Sequence, residues 1–436
     1  MNKSELKNVK GSSDYGNEDE IIRNFISDTL RKTFEKYGYK PLSTSILCYY
    51  DLLALKYDED NDILKEVYKV TDQAKRELAL RYDLTVPFAK YIALNKNINM
   101  PFKRYEIGKV FRDGPVKKGR VREFIQCDVD CVGIVGQMVE AELIALYVEG
   151  YGKLGIDIII KYNNRKIMKG IIEECNIPEE KITNTITIID KFEKLTKEEI
   201  VQEFSKIGLN KNTIDSLIKY LNMNFEQIKT KFSETKNSTL QEGINEIYEL
   251  NKYINALKLN EYVSFTPTLA RGQEYYTGTV FEVFQNGGDI KSSIGGGGRY
   301  DKMIEEFIND GKKYPAVGIS FGLDVIFEIL KEKEKNKKTS IDIYIIPMQN
   351  KIQALKIAET LRKQNINVDI EMNERKMKKS LNYANTERIP YVIILGDEEL
   401  SKGKVILKDM KNGKQKEIEI EKIGGIKIEG NQVFDI

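Results

Sequence analysis

The sequence predicts an α+β protein in two folded parts: a sheet-and-helix region carrying an inserted helical subdomain, and a separate C-terminal α/β domain. Three patterns lead there. Residues 67–70 and 78–81 read as an antiparallel strand pair, and 102–130 read as strand, basic loop and strand. Residues 176–256 are rich in lysine and asparagine and keep a helical period without glycine clusters. Beyond a charged linker at 331–339, residues 340–436 change to alternating strand and helix units.

At 436 residues the chain is too long for one ordinary core. Apolar content of 41% and charged content of 31% describe a globular protein. No segment is apolar enough to span a membrane, and residues 1–7 lack a signal core, so a cytoplasmic location is expected. The cysteines Cys48, Cys127, Cys131 and Cys175 form no CxxC pair and are expected to be reduced and structural. The net charge is only +2, but from Lys331 onward 22 Lys+Arg face 17 Asp+Glu, a net of +5 against −3 for the remainder. That excess points the C-terminal part toward an anion. Histidine is absent. This excludes Ser-His-Asp and Cys-His catalysis, histidine bases and histidine-ligated metals. The chemistry is left to Arg, Lys, Asp, Glu, Gln, Tyr and a hard cation on oxygen ligands.

Taken in order, 10–16 form a polar loop, and Ile21, Ile22, Phe25, Ile26, Leu30 and Phe34 mark one face of a helix ending near Gly38. Pro41 opens an extended segment to Leu47, a core element or a subunit contact. Residues 81–88 leave a strand and enter a helix with Pro87 in its first turn; Asp83 is either its cap or a carboxylate offered to a ligand cation. Alternation along 121–130 sends Arg122, Phe124, Gln126, Asp128 and Asp130 to one face, which suits the floor of a site. A helix at 139–151, a strand at 157–162, and a small-residue strand running into a helix at 315–326 follow. In the C-terminal part, strands at 341–346, 368–371 and 391–395 alternate with helices at 351–363 and 375–385.

The remaining signal is Leu269-Ala270-Arg271-Gly272-Gln273-Glu274-Tyr275-Tyr276-Thr277-Gly278, which runs into a strand, then Gly295-Gly296-Gly297-Gly298-Arg299-Tyr300-Asp301, read as a second glycine-dense turn. Together they suggest one pocket: an arginine for an anion, tyrosines to wall a ring, and glycines for close backbone approach.

These residues resemble the class II aminoacyl-tRNA synthetases, specifically the histidyl-tRNA synthetase family, over nearly the whole chain. The resemblance rests on Leu80-Arg81-Tyr82-Asp83-Leu84-Thr85, on Phe111-Arg112, Arg120 and Phe124, on Arg271–Gly278, and on Gly296–Asp301. It implies a six-stranded antiparallel catalytic sheet in residues 1–330, an anticodon-binding domain in 340–436, and a homodimer built partly on the Pro41 segment. It further implies that ATP, with Mg²⁺ on its phosphates, and L-histidine give histidyl-adenylate, and that the histidyl group passes to tRNA-His. Carried over residue by residue, Arg112 and Arg271 are catalytic on the α-phosphate. Arg112, Arg120, Phe124 and Arg271 bind ATP, with Phe124 against adenine. Asp83, Leu84 and Thr85 hold the amino-acid end of histidine, Gln126 and Asp130 its ring nitrogens, and Tyr275 and Tyr276 its ring. No protein-held metal is implied. The chain departs from the pattern at Val325, where an arginine for the γ-phosphate is usual, at Gln273-Glu274, and at Gly114. The alternative is a non-catalytic paralogue: a regulatory subunit of histidine biosynthesis, or a histidine or tRNA sensor.

Overall fold

Strand-forming residues with period-two alternation build the larger part of the chain around one sheet. In the computed structural model, which describes residues 6–54, 62–117, 119–192, 194–270, 275–333, 339–429 and 432–434, the strands of this part are β1 (Lys40–Pro41), β2 (Leu47–Tyr49), β3 (Lys69–Thr71), β4 (Glu77–Leu80), β5 (Phe102–Phe111), β6 (Glu123–Val132), β7 (Ile158–Asn164), β8 (Val263–Phe265), β9 (Thr279–Gln285), β10 (Gly295–Arg299) and β11 (Ala316–Gly322). The main sheet has the order β1-β5-β6-β11-β10-β9-β7-β8. Its six inner strands pair antiparallel throughout, and the short β1 and β8 are added at the edges in parallel. The expected six-stranded antiparallel sheet is therefore present, widened by two edge strands. β2, β4 and β3 form a separate antiparallel sheet.

The glycine-dense segment is not a turn. Gly295–Arg299 is strand β10, hydrogen-bonded on both sides and buried from Gly296 to Arg299. Its glycines answer to crowding across the sheet. A Cβ on Gly297 would lie 2.1 Å from the Gly318 carbonyl oxygen, and one on Gly318 would lie 1.9 Å from Asp130 Oδ1. Gly297→Ala is expected to cost about 4 kcal/mol or more, because the collision is with backbone and no rotamer relieves it. A urea midpoint equal to wild type would contradict this.

Between β7 and β8 the chain is helical. Arg165–Glu174 leads into the expected insertion, made of Glu179–Ile189, Lys197–Lys206, Lys211–Leu221, Phe225–Lys231 and Ser238–Ala256. Thr196 with Glu199 and Asn224 with Gln227 close capping boxes that start two of these helices. The helix after β11, Leu323–Lys333, runs through the start of the expected linker, since Lys and Glu are good helix formers and its inner face buries Ile326, Phe327, Ile329 and Leu330. The rest of the linker, 334–338, lies outside the described residues.

The chain divides into two units, Met1–Asp14 with Arg23–Ile329, and Tyr15–Ile22 with Leu330–Ile436. In the second, β12 (Ile343–Ile346), β13 (Val368–Ile370) and β14 (Tyr391–Ile394) pair parallel around the helices Lys351–Arg362 and Met377–Thr386. Two strands absent from the sequence reading, β15 (Lys404–Asp409) and β16 (Gln415–Glu419), extend the sheet antiparallel. The turn residues Asn412-Gly413 between them, with Gly413 at φ 74°, were the available hairpin signal. Among the described residues, no helix is long and apolar enough to cross a membrane, and the four cysteines are buried and unpaired.

Candidate active site

Alternation along β6 places Phe124, Gln126, Asp128 and Asp130 on the floor of a cavity of about 990 Å³. Arg122 does not join them. It precedes the strand and pairs with Asp113 at 3.0 Å. Of the other expected site residues, Asp83, Thr85, Arg112, Arg120, Tyr275 and Tyr276 also line the cavity. Leu84 does not: its side chain is fully buried in the core. Its backbone carbonyl accepts from Arg104 Nη2 at 3.1 Å, so what it contributes is loop position. Arg271, Gly272, Gln273 and Glu274 lie outside the described residues.

Asp83 is engaged at one oxygen and open at the other. Oδ1 accepts from the Val86 amide in the first turn of the helix Thr85–Leu94 at 3.0 Å, although the residue at the N-cap position is Leu84, while the buried Oδ2 has no hydrogen-bond partner. Burial raises its carboxyl above the usual range, opposed by the Val86 amide and by Arg112. Gln126 is likewise half engaged. Nε2 donates to Ser320 Oγ at 3.0 Å, and the buried Oε1 is unpartnered.

Beneath the floor lies a buried ion network that the sequence reading missed. Arg104 Nη2 meets Asp130 Oδ2 at 2.7 Å, and Arg104 Nη1 lies 3.5 Å from Glu106 Oε2. Glu106 Oε1 also accepts from Arg81 Nη1 at 2.8 Å and from the Thr44 amide at 2.9 Å. Tyr300 donates its hydroxyl to Asp130 Oδ1 at 2.5 Å. Asp130 thus has both oxygens in contact, Oδ1 with the Tyr300 hydroxyl and Oδ2 with the Arg104 guanidinium as an ion pair without hydrogen-bond geometry, whereas Asp128 Oδ1 has no partner. Burial pushes Asp128 up to about 8, with Arg104 opposing and Asp130 adding to the rise. Burial also raises Asp130. The extra proton belongs on Asp128, because Asp130 alone has both a guanidinium and a hydroxyl donor in contact.

Elsewhere in the lining, Arg112 Nε donates to the Tyr82 carbonyl at 3.2 Å. Its guanidinium lies 4.3 Å from the Tyr82 ring centroid and 5.1 Å from that of Phe124. These contacts fix the plane of the fork. Arg120 Nη2 meets Glu66 Oε1 at 3.0 Å. Tyr275, Tyr276 and Tyr300 form one wall, with centroids 4.8 Å and 6.2 Å from Tyr275. Val325 lines the cavity too, packed beside Gly119 of the basic loop. Arg299 is structural, its Nε meeting buried Glu140 at 2.6 Å. Among the described residues, no group of three or more acidic or cysteine side chains could hold a metal ion.

A histidyl-tRNA synthetase family model matches residues 11–326, and an anticodon-binding domain model matches 342–426. The chain belongs to the histidyl-tRNA synthetase family. It is 48% identical over 413 residues to "Histidine--tRNA ligase 1" of Bacillus cereus, covering 94% of each chain. It is 34% identical to "Histidine--tRNA ligase" of Clostridium tetani, covering 92% of this chain and 93% of the relative. Among solved structures, histidyl-tRNA synthetase from Nostoc sp. superposes with TM-score 0.85 at 28% identity, covering 96% of this chain and 98% of that one. Segments that carried the resemblance thus meet at the cavity from separate parts of the chain: the turn after β4, the β5–β6 pair, and, before β9, Leu269, Ala270, Tyr275 and Tyr276. Tyr300 lies in the Gly296–Asp301 segment and Asp128 on the alternating polar face, but neither is assigned a role from the sequence, and Arg104 carries no mark; their neighbourhood becomes visible only once β5, β6 and the end of β10 are brought together.

Proposed function

We propose that this chain activates L-histidine with ATP to histidyl-adenylate and transfers the histidyl group to tRNA-His. The observation that carries the reading is one cavity holding an oriented arginine fork beside buried carboxylate and amide oxygens without partners. Asp83 Oδ2 and the Thr85 hydroxyl hold the α-ammonium, Gln126 Oε1 accepts a ring N–H, and Asp130 offers its remaining lone pairs to the ring. Buried polar partners reject ring isosteres lacking those nitrogens, since the partners would stay unpaired. The histidine carboxylate attacks the α-phosphorus; a carboxylate–phosphorus bond forms and the bond to pyrophosphate breaks. No side chain needs to shuttle a proton. Arg112 and Arg271 supply positive charge where the equatorial oxygens gain negative charge. Phe124 takes the adenine, and Arg120, from the loop beside Val325, supplies charge near the γ-phosphate. Mg²⁺ arrives on the ATP phosphates as part of the substrate.

The catalytic part spans 1–330 and the anticodon-binding part 340–436; the net charge of +5 from Lys331 onward, linker included, suits RNA. Leu47, Tyr49 and Val70 stand exposed on the sheet β2-β4-β3, with Ile46 exposed just before β2, and mark the contact of a cytoplasmic homodimer. Histidine-dependent ATP–pyrophosphate exchange tests the reading. We expect exchange in the wild type and its loss in Arg271→Ala. Histidine binding without exchange would make the chain a sensor or regulatory subunit.

A further inference from the structure

We propose that Asp128 is a third acceptor for the α-ammonium of the bound amino acid, completing the site begun by Asp83 and Thr85. The inference rests on the histidine-activating reading above. An ammonium presents three N–H donors, and Asp83 Oδ2 and the Thr85 hydroxyl satisfy two. Asp128 is 4% exposed, lines the cavity, and carries a buried Oδ1 without a partner.

Charge points the same way. The groups around Asp128 are Asp83 from the loop after β4, Arg104 and Glu106 from β5, Asp130 from its own strand, Ser320 from β11 and Tyr300 after β10. Arg104 is committed to Asp130 and Glu106, and Arg81 to Glu106. Among the described residues, Asp83 and Asp128 are the two of these carboxylates without a guanidinium at ion-pair distance. Ionised together they would repel each other, and a cation set between them removes that repulsion. Without ligand, burial keeps a proton on Asp128; the ammonium displaces it to solvent, so binding releases a proton. Asp130, held by Arg104 and Tyr300, cannot take this part.

The test is calorimetry on the full chain with L-histidine and with imidazolepropionate, which keeps the ring and carboxylate but lacks the amino group. Asp128→Asn should weaken L-histidine by about tenfold or more and leave imidazolepropionate within about twofold. Titrations at pH 7 in buffers of different ionisation enthalpy should show a proton released by the wild type and none by Asp128→Asn. Should Asn fail to fold in a thermal melt, Asp128→Ser is read against the same ligands. Equal weakening of both ligands would make Asp128 a ring contact and overturn the assignment, as would unchanged histidine affinity. A wild type that binds neither ligand would overturn the histidine reading itself.

Discussion

Arg112→Ala should lower histidine-dependent ATP–pyrophosphate exchange by about 10²–10³-fold, the usual loss when one donor to a developing oxyanion is removed. The side chain is already oriented for that work. Nε is tied to the Tyr82 carbonyl, and the guanidinium is held against the Tyr82 and Phe124 rings. Because the charge it meets grows only as the α-phosphorus is attacked, the loss should fall on kcat, with histidine affinity nearly unchanged. Arg112→Lys should lie between, keeping the charge and losing the planar fork. The half-buried position makes a folding explanation testable: the urea midpoint of Arg112→Ala should stay near wild type. Exchange within threefold of wild type would move the α-phosphate cation elsewhere in the cavity.

Arg104→Ala should cost about 3–5 kcal/mol of stability, the range for removing one partner of a buried ion pair. Arg104 is fully buried, and its loss strands Asp130 Oδ2 away from water and takes one of two cations from Glu106, whose Oε2 keeps the Thr44 hydroxyl at 2.9 Å. It also removes the donor to the Leu84 carbonyl and the cation 4.4 Å from the Phe88 ring centroid. The loop 83–85 and the β6 carboxylates then lose their common anchor, so histidine affinity should fall together with the urea midpoint. Adding Asp130→Asn should recover part of the stability, because one stranded charge disappears. An unchanged midpoint in the single variant would show that the carboxylates are neutralised by protons and not by Arg104.

Much of the candidate site was legible because it is written in local periods. Phe124, Gln126, Asp128 and Asp130 share a face by strand alternation alone, and the Pro87 and Asp83 pattern marks a helix start wherever it occurs. The helical insertion and the β12–β14 units follow from hydrophobic period and turn residues in the same way. The reading failed where a residue's part depends on a distant neighbour. Four glycines in a row look like a turn, yet they form a strand paired on both sides, where the Gly318 carbonyl, 2.1 Å from where a Gly297 Cβ would be, admits only glycine. Leu84 sits inside the motif but faces the core.

The amino-acid sequence by itself determined the fold class, the family and the polar face of β6 that floors the cavity, since strand alternation, capping and motif order are properties of adjacent residues. Only the tertiary structure decided which carboxylate is spent and which is left. Asp130 and Asp128 are equivalent in strand period, but Arg104 reaches across from β5 and Tyr300 from the end of β10 to satisfy Asp130. In a buried site, the partner of each charge sets its chemistry, and those partners are brought together by the sheet.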